Sequence, residues 1–140
     1  MLDRLAGNEA MKQHLQAALA GGKLAHSLLL CGEKGCGAGF AARCLAADYL
    51  YPQGGPAAEA VLAGQAPECL EVRGEGASGQ IRIERIRQVR EEVFHSALSA
   101  QGRVVLLYGA QNLNSASANA LLKVLEEPPE GVLFLLTASS

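Results

Sequence analysis

The residues with the clearest chemical meaning form a glycine-rich turn between an apolar segment and a helix-forming segment. The phosphate-binding loop pattern G-x-x-x-x-G-K-[ST] needs a lysine that reaches the phosphate oxygens and a hydroxyl that holds Mg²⁺. Gly32 and Gly37 match the pattern, with Gly35 between them, but Ala38 stands at the lysine position and Gly39 at the hydroxyl position. The turn has the glycines of a P-loop without its cation or its metal ligand.

These substitutions predict weak nucleotide binding at most. Each charge-assisted contact contributes about 1.5–3 kcal/mol, so loss of both lowers affinity by roughly two or more powers of ten. Hydrolysis should be absent, because phosphoryl transfer depends on positioning and charge neutralisation. Lys34 lies inside the turn and is expected to point to solvent. Two interpretations stay open: a tight turn that binds nothing, or weak, metal-free binding of ATP or ADP at Gly32, Gly35, Gly37, Ala38 and Gly39.

The segment after a later apolar run also indicates that ATP hydrolysis is absent. The apolar segment Val104–Tyr108 is followed by Gly-Ala-Gln-Asn, without a carboxylate. An active P-loop ATPase uses an Asp after such a strand to hold Mg²⁺. Two independent sites thus lack their chemistry, which a single chance substitution would not explain. The alternative, an ATPase that uses Lys34 and an unusual metal site, requires Mg²⁺-dependent turnover that Lys34→Ala abolishes.

The elements that must position these residues alternate along the chain. A helix is expected between Asn8 and Gly21, and short apolar strands alternate with further helices after it. The predicted strands are Leu28–Cys31, Cys69–Arg73, Val104–Tyr108 and Val132–Thr137; the helices cover about Gly39–Tyr49, Ala57–Ala63, Ile83–Leu98 and, capped by Ser115, the segment to Glu127. This alternation predicts right-handed βαβ units, a parallel sheet and helices on both faces, hence an α/β fold.

The overall composition excludes several classes of protein. The chain has 140 residues, 49% hydrophobic and 19% charged, which suits one globular domain. A net charge of −2 provides no global attraction to nucleic acid. The longest apolar runs are too short to span a membrane. Four cysteines without C-x-x-C spacing indicate reduced thiols in the cytoplasm.

The most specific stretch is residues 115–129, Ser-Ala-Ser-Ala-Asn-Ala-Leu-Leu-Lys-Val-Leu-Glu-Glu-Pro-Pro. It closely resembles the segment after the Walker B strand in clamp-loader subunits of bacterial DNA polymerase III, which belong to the AAA+ P-loop proteins. The lead-in Leu24–Leu30 and the segment Gln80–Val89 are similar to that family as well. Within the family, delta-prime subunits tolerate loss of both Walker motifs, so the resemblance is to their N-terminal domain.

The resemblance implies a three-layer AAA+ sandwich with strand order 1-4-3-2. It implies an ATPase-inactive structural subunit that supports sliding-clamp loading during DNA replication. Its partners would be the ATPase and delta subunits, and indirectly the sliding clamp and primed DNA. Asn119, Lys123, Glu126 and Glu127 would contact neighbouring subunits. The alternatives are an ATP-binding or hydrolysing clamp-loader subunit, or a nucleotide sensor with a degenerate P-loop.

The chain departs from the family at two places. The stretch Leu50–Glu68 lacks the four-cysteine zinc module that members usually carry, so no zinc or other metal is expected. The last sheet strand, the lid domain and the collar domain would follow Ser140, so residues 1–140 correspond to a truncated AAA+ domain. Thr137 or Ser139 lies where the family has a polar sensor of the γ-phosphate, which would be vestigial here. The leucines 121, 122 and 125 are expected to form the buried stripe of their helix.

Overall fold

The computed structural model describes residues 1, 4, 13, 16–17, 26–32, 37–95 and 102–139. Its strands are β1 (Ser27–Gly32), β2 (Cys69–Val72), β3 (Arg103–Tyr108) and β4 (Val132–Ser139). Its helices are α1 (Ala38–Leu50), α2 (Pro56–Leu62), α3 (Ile83–His95) and α4 (Ser115–Glu126), with a 3₁₀ turn at Ala110–Asn112. Most of the expected helix between Asn8 and Gly21 lies outside the described residues. The other predicted elements are present, and their ends agree within two residues wherever the structure describes both ends; the predicted end of the third helix at Leu98 lies outside the described residues.

The four strands form one parallel sheet in the order β1-β4-β3-β2, which confirms the predicted topology. Ser27 pairs with Phe134, and Arg103 pairs with Val132, so β4 separates β1 from β3. Because all strands run in one direction, their carboxyl ends meet at one edge of the sheet. The glycine-rich turn after β1 and the turn after β3 both begin at that edge.

Helices cover both faces of the sheet, which gives the predicted three layers. Side chains alternate between faces along a strand. Val104 and Leu106 therefore pack with α1 and α2, whereas Val105 and Leu107 pack with α3 and α4. The first core includes Leu45, Leu133 and Leu135; the second includes Ile86, Leu121 and Phe134. Apolar side chains on both faces explain why the central strands are continuous hydrophobic runs.

The start of α4 differs from the prediction that Ser115 caps the helix. The cap is Asn114, whose side-chain oxygen accepts the Ser117 backbone N–H at 2.8 Å. Ser117 returns the interaction, because its hydroxyl oxygen accepts the Asn114 backbone N–H at 2.9 Å. This capping box satisfies two backbone donors reciprocally. Ser117 is fully buried, so its hydroxyl needs these partners.

Candidate functional site

The glycine-rich turn connects β1 to α1 in the strand–turn–helix arrangement that the sequence predicted. Gly32 is the last residue of β1, and Gly37 precedes α1 with a φ of 88°. That left-handed conformation favours glycine, because a Cβ atom would clash with the backbone. Ala38 and Gly39 are the first two residues of α1. Residues 33–36 lie outside the described part of the chain, and with them Lys34 and Gly35.

Tyr108, the last residue of β3, lies against the first turn of α1. A Cβ atom placed on Gly39 would be 3.3 Å from Cε1 of Tyr108 and 3.7 Å from Cδ1. The position that would carry a metal-binding hydroxyl therefore lies beside the end of the strand after which the metal-binding carboxylate is expected. The two sites that were predicted separately from the sequence lie side by side, because β3 ends against the first turn of α1.

A network of charged side chains surrounds the Tyr108 ring. Arg43 of α1 donates from Nη2 to Glu71 Oε1 at 2.9 Å and from Nε to Glu71 Oε2 at 3.1 Å. Arg43 Nε also donates to the Tyr108 hydroxyl oxygen at 3.1 Å, and Nη1 donates to the Leu62 carbonyl at 3.3 Å. The side chains of Arg43 and Glu71 are only 26% and 16% exposed. A bidentate pair in such surroundings is stronger than a surface ion pair.

Arg73 closes the network from the other side. Its guanidinium carbon lies 4.0 Å from the centroid of the Tyr108 ring, a cation–π distance. Arg73 Nη2 also donates to Glu71 Oε1 at 3.1 Å. Glu71 thus accepts hydrogen bonds from two arginines, and Tyr108 contacts both of them.

Sequence reasoning did not identify Arg43 and Glu71, although a signal was present. Arg43 is the single basic residue of the Ala-rich helix α1, and Glu71 is the single acidic residue of the short strand β2. When two elements pack through apolar faces, a single charged side chain on each is costly to bury unless it pairs with a charge of opposite sign. The pairing could have been inferred from that requirement once the topology was known.

The titratable groups of the network favour binding and packing over nucleophilic chemistry. The hydrogen bond to Glu71 raises the pKa of Arg43 above its ordinary value, although burial opposes that shift. Burial raises the pKa of Tyr108, and the Glu71 charge adds to that effect. Burial also raises the pKa of Cys69 to about 12, so this thiol stays protonated at neutral pH. A protonated thiol is a poor nucleophile and a poor metal ligand.

The polar residues at the end of β4 support the turn after β3. Thr137 Oγ1 accepts the Gly109 backbone N–H at 3.1 Å. Gln111 Nε2 donates to Ser139 Oγ at 2.9 Å, and the Ser139 N–H donates to Gln111 Oε1 at 3.2 Å. The candidate sensor residues therefore hold two neighbouring segments together at the same edge of the sheet.

The residues predicted from the sequence to contact neighbouring subunits lie on the outer face of α4 or just beyond its end. Asn119, Lys123 and Glu126 are exposed at helical spacing, and Glu127 is exposed just beyond the helix. Leu122 lies between them and is 55% exposed. The predicted buried stripe was therefore wrong at Leu122: the buried residues of α4 are Ser117, Leu121 and Val124. Spacing of four places Ser117 and Leu121 on one face, and Leu122 falls about 100° away.

Comparison with known proteins now identifies the family. The family model described as DNA polymerase III, delta subunit, matches residues 7–140. The chain belongs to this family. It is 31% identical to the DNA polymerase III subunit gamma/tau of Mycobacterium tuberculosis (strain ATCC 25618 / H37Rv) over 143 residues, which cover 96% of this chain and 25% of that protein. Predicted membership of the DNA polymerase III clamp-loader proteins is thereby confirmed.

Delta-prime subunits match over a shorter region with higher identity. The DNA polymerase III subunit delta' of Yersinia pestis is 41% identical over 76 residues, 54% of this chain and 22% of that protein. A solved structure of a DNA polymerase III gamma subunit-related protein from Thermotoga maritima superposes with a TM-score of 0.67. It is 24% identical and covers 89% of this chain and 39% of that one, which supports the fold. The chain spans a quarter or less of the length of the two curated relatives.

The described residues of this family member contain no group of three His, Cys, Asp or Glu side chains placed to hold a metal ion. Cys44 and Cys69 are buried, and Cys31 is exposed at β1. The predicted absence of zinc stays a prediction. In the described ranges, no helix combines the length and apolarity needed to cross a bilayer.

Proposed function

We propose that this domain belongs to a delta-prime-type subunit, which is an ATPase-inactive structural member of the DNA polymerase III clamp loader. Family membership places the chain among DNA polymerase III subunits. The observation that carries the finer proposal is the contact between Gly39 and Tyr108. Position 39, where an active site would carry the Mg²⁺-binding hydroxyl, has no side chain, and the aromatic ring of Tyr108 lies beside it.

The charge balance of the site supports the same proposal. The carboxylate of the described network is Glu71, and two arginines already donate hydrogen bonds to its oxygens. A carboxylate engaged in this way is a poor metal ligand, because binding the metal would leave Arg43 without its partner in a partly buried site. We therefore infer weak binding of ATP or ADP at most, and no resident cofactor.

The partners that we propose are the ATPase and delta subunits of the loader, with the sliding clamp and primed DNA as indirect partners in a cytoplasmic assembly. The outer face of α4 would provide a contact surface. It presents the apolar side chain of Leu122 among the polar groups of Asn119, Lys123 and Glu126. An apolar centre with a polar rim is the usual anatomy of a protein–protein interface.

A second candidate is a gamma-type subunit, or a nucleotide sensor, that binds ATP as a ligand. The observation in its favour is the match to gamma/tau subunits over 96% of this chain. Calorimetry on the full-length protein separates the two candidates. A dissociation constant for MgATP below about 10 μM would favour the second, because the missing lysine and metal contacts should weaken binding well beyond that value.

Co-purification tests the structural role directly. The full-length protein should assemble with the ATPase and delta subunits from the same organism. It should do so without hydrolysing ATP itself. The reconstituted loader should retain clamp-loading activity when Lys34 is replaced by Ala. Failure of the full-length protein to associate with those subunits would contradict the proposal.

A further inference from the structure

Three residues surround the Tyr108 ring beside the first turn of α1. Gly39 borders the ring edge, with Cε1 3.3 Å from the position of an added Cβ. Arg73 stacks over the ring face at 4.0 Å. Arg43 donates to the hydroxyl at 3.1 Å and is itself fixed by Glu71. Moving the ring away from Gly39 would therefore weaken its hydrogen bond with Arg43 or its cation–π contact with Arg73.

Gly39 has no backbone reason to be glycine. Unlike Gly37, it does not have a positive φ. It is the second residue of a thirteen-residue helix, where alanine stabilises more than glycine because glycine loses more backbone entropy. The contact with Tyr108 supplies a reason, since 3.3 Å is tighter than ordinary van der Waals contact and the ring is fixed. The same argument applies to the Ser or Thr of an active P-loop, which would add an oxygen to that Cβ.

We propose that Tyr108 is a specificity-determining residue that blocks the site against metal-bound nucleotide, and that Gly39 is required to accommodate it. The inference rests on the proposed ATPase-inactive function and deepens it. The residues at positions 39 and 108 are then physically coupled, because a ring at position 108 crowds any side chain at position 39. Restoring the P-loop residues alone would leave the site closed.

A double-mutant cycle in the full-length protein measures the coupling. Gly39→Ala should lower the urea midpoint or leave it unchanged while Tyr108 is present, and should raise it in a Tyr108→Val background. The two effects should differ by at least about threefold in the unfolding equilibrium constant. Ala116→Gly is the matched control, because Ala116 is the exposed second residue of α4 and reports the helix preference alone.

Tyr108→Phe supplies a background that retains the ring and needs no new packing. Gly39→Ala should behave there as it does beside tyrosine, because the ring edge and not the hydroxyl makes the contact. Equal shifts from Gly39→Ala in the wild-type, Tyr108→Phe and Tyr108→Val backgrounds would overturn the proposal.

Nucleotide binding provides the second measurement. Calorimetry with MgATP should show binding at least about tenfold tighter for Ala38→Lys/Gly39→Thr/Tyr108→Val than for Ala38→Lys/Gly39→Thr. Equal affinities would overturn the blocking role. The proposed function is tested separately by the wild-type protein, through its own MgATP affinity and its co-purification. If the effects of the Gly39 and Tyr108 substitutions on stability are additive and the wild-type protein still assembles with the other subunits, the blocking role of Tyr108 is rejected and the structural role is retained.

Discussion

The carboxyl edge of the sheet and the outer face of α4 carry the two most distinctive stretches of this sequence, and they use polar side chains in opposite ways. At the sheet edge, Arg43, Glu71 and Tyr108 satisfy one another across three elements. On α4, the polar side chains of Asn119, Lys123 and Glu126 face solvent around an exposed Leu122. Internal pairing stabilises the fold, whereas outward presentation suits a partner. A substitution should therefore affect stability in the first region and association in the second.

The largest effect is expected from Glu71→Gln. This change leaves Arg43 partly buried without its carboxylate, which should lower the free energy of unfolding by about 2–3 kcal/mol. Urea unfolding of the purified protein measures it. Glu75→Gln is the control, because Glu75 is exposed on the following loop and should change stability by less than about 0.5 kcal/mol. If both variants lower the free energy of unfolding by similar amounts, internal pairing at the sheet edge does not stabilise the fold as proposed.

Leu122→Ser should have the next largest effect, and on association. We expect affinity for the other loader subunits to fall about tenfold or more, since an apolar anchor is lost from the proposed interface. The free energy of unfolding should change by less than about 0.5 kcal/mol. Phe94→Ser is the matched control, because it removes an exposed large apolar side chain from α3. Loss of stability without loss of binding would reverse the assignment of this face.

Asn114→Ala tests whether the N-terminal cap stabilises the helix α4, which carries the proposed contact face. Loss of the cap should cost about 1 kcal/mol of stability, since the Ser117 N–H loses its acceptor. Asn119→Ala in the exposed middle of the same helix should be neutral or slightly stabilising, because alanine favours helix. Thermal unfolding of the two variants measures the difference. An equal loss from both would argue against the capping box.

The smallest effect is expected from alkaline pH. Burial raises the pKa of Tyr49 and Tyr108, and the hydrogen bond donated to Glu68 raises that of Tyr51. Above about pH 10 the unfolded chain loses tyrosine protons that the native state keeps, so stability falls as pH rises. Below that pH these groups leave stability unchanged. Tyrosinate absorbance should rise together with unfolding; ionisation in the still folded protein near pH 10 would contradict this.

The sequence predicted the helices and strands well, because hydrophobic runs, glycines and prolines determine local structure within a few residues of themselves. The strand order came from family resemblance and was confirmed by the pairing of β4 with both β1 and β3. Details that depend on neighbours were harder to predict. Leu122 was placed in the core because leucine is apolar, yet Val124 occupies the buried side. Helical phase decides that choice, and a run of Leu-Leu-Lys-Val-Leu is compatible with more than one phase.

The candidate site was predicted only as a set of missing groups. What replaces them could not be inferred from motif positions, because Tyr108 and Gly39 are distant in sequence and meet only when β3 packs beside α1. The same holds for Arg43 and Glu71, which lie on different elements. Local sequence patterns report side-chain type and periodicity, whereas such pairs follow from tertiary packing.

The position of β4 in the sheet has a consequence for synthesis. β4 covers residues 132–139 and is the sole hydrogen-bonded neighbour of β1 among the described strands. A ribosome must therefore release the chain as far as β4 before β1 acquires a pairing partner. Until then Leu28 and Leu30 lack the strand that orders them, and such unpaired apolar segments aggregate readily. Nascent chains of this domain should thus depend on holding chaperones until the central strand emerges.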